Sequence, residues 1–345
     1  MRQSCLALLL AVALPTAAAP VPGLPVAVSN NAVAGVVLDD GFHMVSLMGL
    51  LEGRTWRDTT STAWHLPPAA AKWRRLPDVP GGAGRLAGAA VGLGGLVYIF
   101  GGYTVAEDHS EVSVPLVHAL DVRQDSYVEL APMPVPVDDT VALAYAGRYI
   151  YLVSGWHDSG NVNLVQLYDT ETGQWHQATP WPGAPVFGHA GGIVDDQIVV
   201  CDGVRIETTR KQRRFRAAKR CLSGRVRAGD PRRIDWVVMP HHPGPALYRM
   251  AATGTQLDGE PAILFAGGSD NPYNYNGIGY DGRPSSPSSR VFAWLTDTGR
   301  WQKKPSLSVA TMDHRGLLAH QGQYVIVGGM REGQAVTAAV VAYQP

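Results

Sequence analysis

Arg85, Asp138, Asp139, His189, Tyr248, Arg249, Asp313, His314 and Arg315 are the residues of this 345-residue chain whose types and spacing could do chemistry. Together with Asn30 and Asn31 they fall just ahead of short apolar runs that recur along the sequence. Histidine and carboxylate side chains exchange protons, and arginine holds a carboxylate through two parallel donors. Gathered at one place, they would make a polar pocket fit for proton transfer on an anionic ligand. The same residues would also serve as polar staples between neighbouring structural units.

Two further stretches carry candidate ligand contacts. Between positions 205 and 220 lie Arg205, Arg210, Lys211, Arg213, Arg214, Arg216, Lys219 and Arg220, with Glu207 as the only acid. Such a cluster concentrates anions, although a solvated hairpin with a basic tip would look the same. Between 270 and 281, Tyr273, Tyr275 and Tyr280 stand among Asp270, Asn271, Asn274, Asn276 and Asp281. Aromatic faces beside amides and carboxylates suit sugar rings. The Asp/Asn spacing does not follow a calcium loop, so no metal and no cofactor is expected.

Repetition indicates what positions these groups. LVYIFGG at 96–102 is a run of β-branched and aromatic residues stopped by a glycine pair, the mark of a buried strand ending in a sharp turn. ILFAGG at 263–268 and YVIVGG at 324–329 repeat it, and HMVSLMG at 43–49, YIYLVSG at 149–155 and IVVCDG at 198–203 are weaker copies. A lone aromatic near a proline follows each of the first five: Trp73, Tyr127, Trp175, Trp236 and Trp301. Six units of about 50 residues, each of four short strands, have the period of kelch propeller blades. One four-stranded sheet cannot bury both faces alone, but a ring of six can. The expected fold is an all-β, six-bladed kelch-type β-propeller over residues 20–345, with blades starting near 31, 85, 138, 189, 249 and 314. Its last unit lacks an aromatic fourth strand, and the segment 23–31 is expected to supply the missing outer strand.

Charge and composition narrow the partners. Lysine plus arginine and aspartate plus glutamate each number 29, which gives no bulk attraction to nucleic acid. Arg2, the apolar run 5–14 and the small residues Ala17, Ala18 and Ala19 have the layout of a secretory signal peptide over 1–19, too short to span a membrane. An exported chain is therefore expected, periplasmic or secreted, with no membrane span and a monomeric state. Beyond that segment, Cys201 and Cys221 remain, and an oxidising compartment favours a bridge between them, stabilising by ~3 kcal/mol in the chain-entropy model.

In a blade of alternating strands, the entry to the first strand and the loop after the second lie on one face. That face should collect both insertions and the entry residues Asn31, Arg85, Asp139, His189, Tyr248, Arg249, His314 and Arg315 in one funnel.

The chain resembles the secreted bacterial kelch proteins of the sialic acid mutarotase (N-acetylneuraminate epimerase) family. The resemblance rests on the signal peptide, an N-terminal LP…PV piece, PGG before the second blade, LVYIFGG and GGSDNPYNYNGIGYDG. It implies anomer interconversion of a carboxylated sugar. The family places a glutamate directly after the glycine ending a second strand and an arginine six residues on. Here those positions hold Val204 and Arg210, and the nearest acid is Glu207. The expected catalytic set is thus Glu207, Arg210, His189 and His314. The expected ligand contacts are Asn31, Arg85, Asp139, Tyr248, Arg249, Arg315, Tyr273 and Tyr275. A polysaccharide lyase using histidine or tyrosine with arginine, and a non-catalytic glycan- or protein-binding platform, are the alternatives. Copper oxidase chemistry of the galactose oxidase type is excluded, because Cys201 ends a second strand and no Tyr-His pair precedes a repeat.

Overall fold

A computed structural model describes residues 21–208 and 213–345. It is a ring of six antiparallel sheets. Blade 1 is Ala32–Leu38, Gly41–Leu50, Thr59–Leu66 and Arg74–Leu76, and blade 2 is Ala89–Leu93, Leu96–Phe100, Val117–Asp121 and Ser126–Glu129. Blade 3 is Val141–Tyr145, Tyr149–Val153, Val165–Asp169 and Gln174–Gln177. Blade 4 is Ala190–Val194, Gln197–Cys201, Cys221–Arg227 and Asp230–Met239. Blade 5 is Ala251–Leu257, Glu260–Ala266, Val291–Leu295 and Arg300–Lys304. Blade 6 has three strands, Leu318–His320, Gln323–Val327 and Val340–Tyr343. The first strand of each blade faces the axis and touches its counterparts in the neighbouring blades.

The apolar alternation of the strands is used at the faces between blades, and each of the six interfaces holds its own buried cluster. Tyr168 of blade 3, for example, packs with Tyr98 and Phe100 of blade 2. The recurring aromatic also makes a polar link. Trp175 Nε1 donates to the Ala131 carbonyl, Trp236 Nε1 to Thr179 and Trp301 Nε1 to Pro240, each in the outer turn of the preceding blade. The Tyr127 hydroxyl reaches Pro77 in the same way.

The same link shows how the ring closes. Trp73 of blade 1 donates at 2.8 Å to Pro22, so the N-terminal segment occupies the place of blade 6's missing outer piece. Leu24 N donates to Ala338 O at 2.7 Å, and Leu24 and Val28 pack with Val325 and Val327 of blade 6 and Trp73 of blade 1. Residues 21–28 close the blade through these contacts without forming a regular ladder.

The glycine pair has a steric cause. Gly101 and Gly102 adopt φ of 51° and 87°, and a Cβ on Gly101 would run into the Val137 carbonyl of blade 3. It is scaffold.

Candidate functional site

Just ahead of each inner strand, one residue adopts left-handed backbone: Asn30, Ala87, Asp139, Gly188, Arg249 and Asp313, with φ between 48° and 72°. They are joined around the axis. Asp139 N donates to Ala87 O, Gly188 N to Asp139 O, Arg249 N to Gly188 O, and His314 N to Arg249 O, at 2.8–3.1 Å. Asn30 Oδ1 accepts from Ala87 N at 2.7 Å and from Arg315 at 2.6 Å, which completes the circuit.

The side chains of this ring form a plug. Arg249 contacts Asp139 at 2.6 and 3.1 Å and Asp313 at 3.0 Å, while Arg315 contacts Asp139 at 2.8 Å. Two guanidinium groups thus face two carboxylates, all at most 3% exposed. Burial opposes ionisation of Asp139, but Arg249 and then Arg315 outweigh it and hold its carboxyl below the usual aspartate value. Arg249 also lies against Tyr248 and Tyr273, 4.7 and 5.4 Å from the ring centres. Tyr273 is fully buried, with its hydroxyl 3.4 Å from Asp313.

The plug divides the axis into two cavities that share Asp139. On one side is a channel of about 250 Å³ between the inner strands, lined by His189, His314 and Arg315. On the other side is a funnel of about 170 Å³ on the insertion face, lined by Arg249, Tyr275 and residues of the extra hairpins. The expected single funnel is therefore two compartments, and His189 and His314 lie in the one away from the insertions.

Several expected ligand contacts are structural. Asn31 Nδ2 bonds to Ser46 and to the Val327 carbonyl, stapling blade 6 to blade 1. Arg85, 1% exposed, donates to Gly101 O and Pro80 O within blade 2 and its approach, and burial lowers it to about 10. His189 Nε2 donates to Val153 O at 2.8 Å, and burial pushes its pKa down to about 4. His314 Nε2 lies 2.9 Å from Thr311 Oγ1, and burial takes its pKa to about 3. Both rings are neutral at pH 7. Glu207 stands on the hairpin Val204–Thr208/Arg213–Ala217, on the face opposite Phe215, paired with Arg205 at 2.6 Å and facing Arg216 at 3.9 Å. It lies outside the funnel. Arg210 lies outside the described residues. Val204, at the family's acid position, is fully buried in the apolar wall with Phe187, Tyr248 and Tyr273.

A second hairpin supplies the acid that sequence reasoning missed. In Tyr103–Val105/Glu111–Ser113, Tyr103 pairs with Ser113 and Val105 with Glu111, so these four side chains share one face. Ser113 Oγ donates to Asp138 Oδ2 at 2.6 Å. Glu111 lines the funnel with Asp138, Tyr103, Trp156, Phe215, Tyr275 and Tyr280. Burial pushes Asp138 well above the aspartate range, and neighbouring Asp139 adds to the effect. Glu111 is exposed to solvent yet flanked by protein, and this desolvation, only partly offset by Arg249, raises its carboxyl too. A raised acid can donate a proton to a ring held against the aromatic walls.

Cys201 and Cys221 sit opposite each other in the ladder of blade 4 and are joined by a disulfide. The bridge fastens the base of the basic hairpin. Among the described residues, one trio has metal-ligand chemistry, Asp202, His241 and His242, with ligand atoms within 4.8 Å of one another. His241 and His242 Nε2 contact separate oxygens of Asp202 at 2.6 and 2.7 Å, and their ring centres lie 3.9 Å apart with the planes tilted by 36°. With Leu247 N also on Asp202 and His242 stacked on Phe292, the trio latches blade 4 to blade 5.

Fold and repeat define the class as a kelch-type β-propeller. Among curated proteins, the chain is 25% identical over 267 residues to Kelch domain-containing protein 3 of Rattus norvegicus, covering 72% of this chain and 65% of that protein. It is 27% identical over 116 residues to Kelch-like protein 15 of Homo sapiens, covering 34% of this chain but only 19% of that protein. The solved structure of YjhT aligns over 94% of this chain and 97% of its own, with a TM-score of 0.73 and 18% identity. That likeness is one of fold. No family model matches the chain.

Proposed function

We propose that this propeller is an exported, carbohydrate-active protein of the mutarotase type, acting on an acidic sugar at the insertion-face funnel. The observation that carries the reading is Glu111, a solvent-reachable carboxyl raised by its walls inside an aromatic-lined cavity. Anomer exchange of a cyclic sugar needs a proton on the ring oxygen and removal of the proton on the anomeric hydroxyl. A carboxyl performs both transfers in the form that carries a proton, the form toward which burial shifts Glu111. Its O–H donates to the ring oxygen while its other oxygen accepts the hydroxyl proton. The ring C–O bond breaks, the anomeric carbon becomes a carbonyl, and the carboxyl returns protonated with its oxygens exchanged. Rotation and the reverse sequence give the other anomer, with nothing consumed. Trp156, Tyr275 and Tyr280 offer faces for the sugar ring. The arginines of the neighbouring hairpin favour a carboxylated substrate. Exchange spectroscopy on N-acetylneuraminate and glucuronate tests the reading. The wild-type chain should accelerate anomer exchange of one of them, and Glu111→Gln should lose 100-fold or more, within the range for general acid–base groups, ~10²–10⁴. Equal rates for the two proteins would discard this assignment.

A further inference from the structure

The funnel does not stand alone. A larger groove, about 1110 Å³, runs between the blade 4 hairpin and the insertion of blade 5, and it shares Phe215, Asn274 and Tyr280 with the funnel. Sites that enclose small ligands span roughly 300–1,000 Å³. At about 170 Å³ the funnel falls below that range, so it takes one ring of a ligand and leaves the rest in the groove.

The two walls of the groove differ in chemistry. On the hairpin, Arg205, Arg214 and Arg216 share one face with Glu207, which pairs with Arg205 at 2.6 Å and faces Arg216 at 3.9 Å. That face carries an excess of positive charge. Across from it, Asn271 and Asn274 with Asp270 and Asp281 present amides and two carboxylates, partners for hydroxyl groups, and Asn271 Nδ2 donates to Asp281 at 3.1 Å. Phe215 and Tyr280 stack between the walls at 4.2 Å, with their planes 24° apart. Both insertions contribute to this aromatic floor, and the Cys201–Cys221 bridge anchors the hairpin that bears the arginines.

From this juxtaposition we infer that the groove is an extended subsite for a carboxylated oligosaccharide, whose end unit enters the funnel. Its carboxylates lie on the arginine wall, its hydroxyls on the amide wall, and one sugar face on the Phe215–Tyr280 stack. The inference rests on the funnel reading above and adds chain length to it.

Calorimetric titration with oligogalacturonates and with α2,8-linked oligosialates, each of one to five units, tests the inference. Affinity should rise at least tenfold from one unit to three or four in one series. The exposed double substitution Arg205→Ser with Arg216→Ser should abolish that gain, so that three or four units bind no more tightly than one. Trp156→Ala, in the funnel wall, should weaken every length. Equal affinity at all lengths overturns the groove while sparing the funnel, provided the single unit still responds to Trp156→Ala. A length gain that survives the arginine substitutions overturns the assignment of the wall. No binding in either series overturns both readings.

Discussion

The plug and the funnel sit back to back around Asp139 and use the same kinds of residue to opposite ends. In the plug, each carboxylate meets guanidinium, two against two, and its charges are locked. In the funnel, Glu111 and Asp138 lie near one another with only a hydroxyl bonded to the deeper acid, and both are raised. Burial acts on both sides. What separates them is the number of cations within reach, and that decides whether an acid is a fastener or a proton donor.

The largest effect that would break this comparison comes from the plug. Arg249→Met leaves Asp139 and Asp313 short of a partner, and breaking a buried pair costs about 3–5 kcal/mol. Chemical denaturation should show a loss of that size, and a change under 1 kcal/mol would mean that the plug is not a fastener. A smaller effect follows from acid. His189 and His314 have folded values near 4 and 3, against 6.5 when unfolded, so between pH 6.5 and 4 the unfolded chain binds more protons. Stability should therefore fall as pH drops through that window, and His189→Gln should flatten part of the slope in thermal melts from pH 7 to 4. The smallest effect belongs to the funnel. Glu111→Gln removes a carboxyl that the fold holds toward its neutral form, so its melting temperature at pH 7 should match the wild type or lie slightly above it. A clear drop would make Glu111 a structural residue.

The ring of blades was legible because its period is written in glycines that other residues cannot replace, such as Gly101, and in aromatics that bond across each interface, such as Trp236. The site was legible only by neighbourhood. Sequence spacing brought Asp139, Arg249, Arg315, Tyr273 and Tyr275 together; the structure packs the first four in the plug and leaves Tyr275 in the funnel. It gave His189 and Arg85 the same standing, although the left-handed positions in those blades are Gly188 and Ala87, which have no polar side chain to send inward. A backbone φ of 54° at Ala87 leaves no trace in the residue type. Glu111 was missed because its hairpin is short and its neighbours Glu107, Asp108 and Ser110 look like an ordinary polar loop. The signal was positional: it follows the glycine pair of blade 2 just as the basic hairpin follows Gly203 in blade 4.

The Cys201–Cys221 bond has a consequence for a chain crowded with arginine and lysine between its two ends. Trypsin-like proteases favour those residues, and any single cut between 201 and 221 leaves the two fragments tethered through sulfur. Under oxidising conditions a nicked molecule would keep its circular outline and its mass on a gel, and only a reductant would reveal the wound.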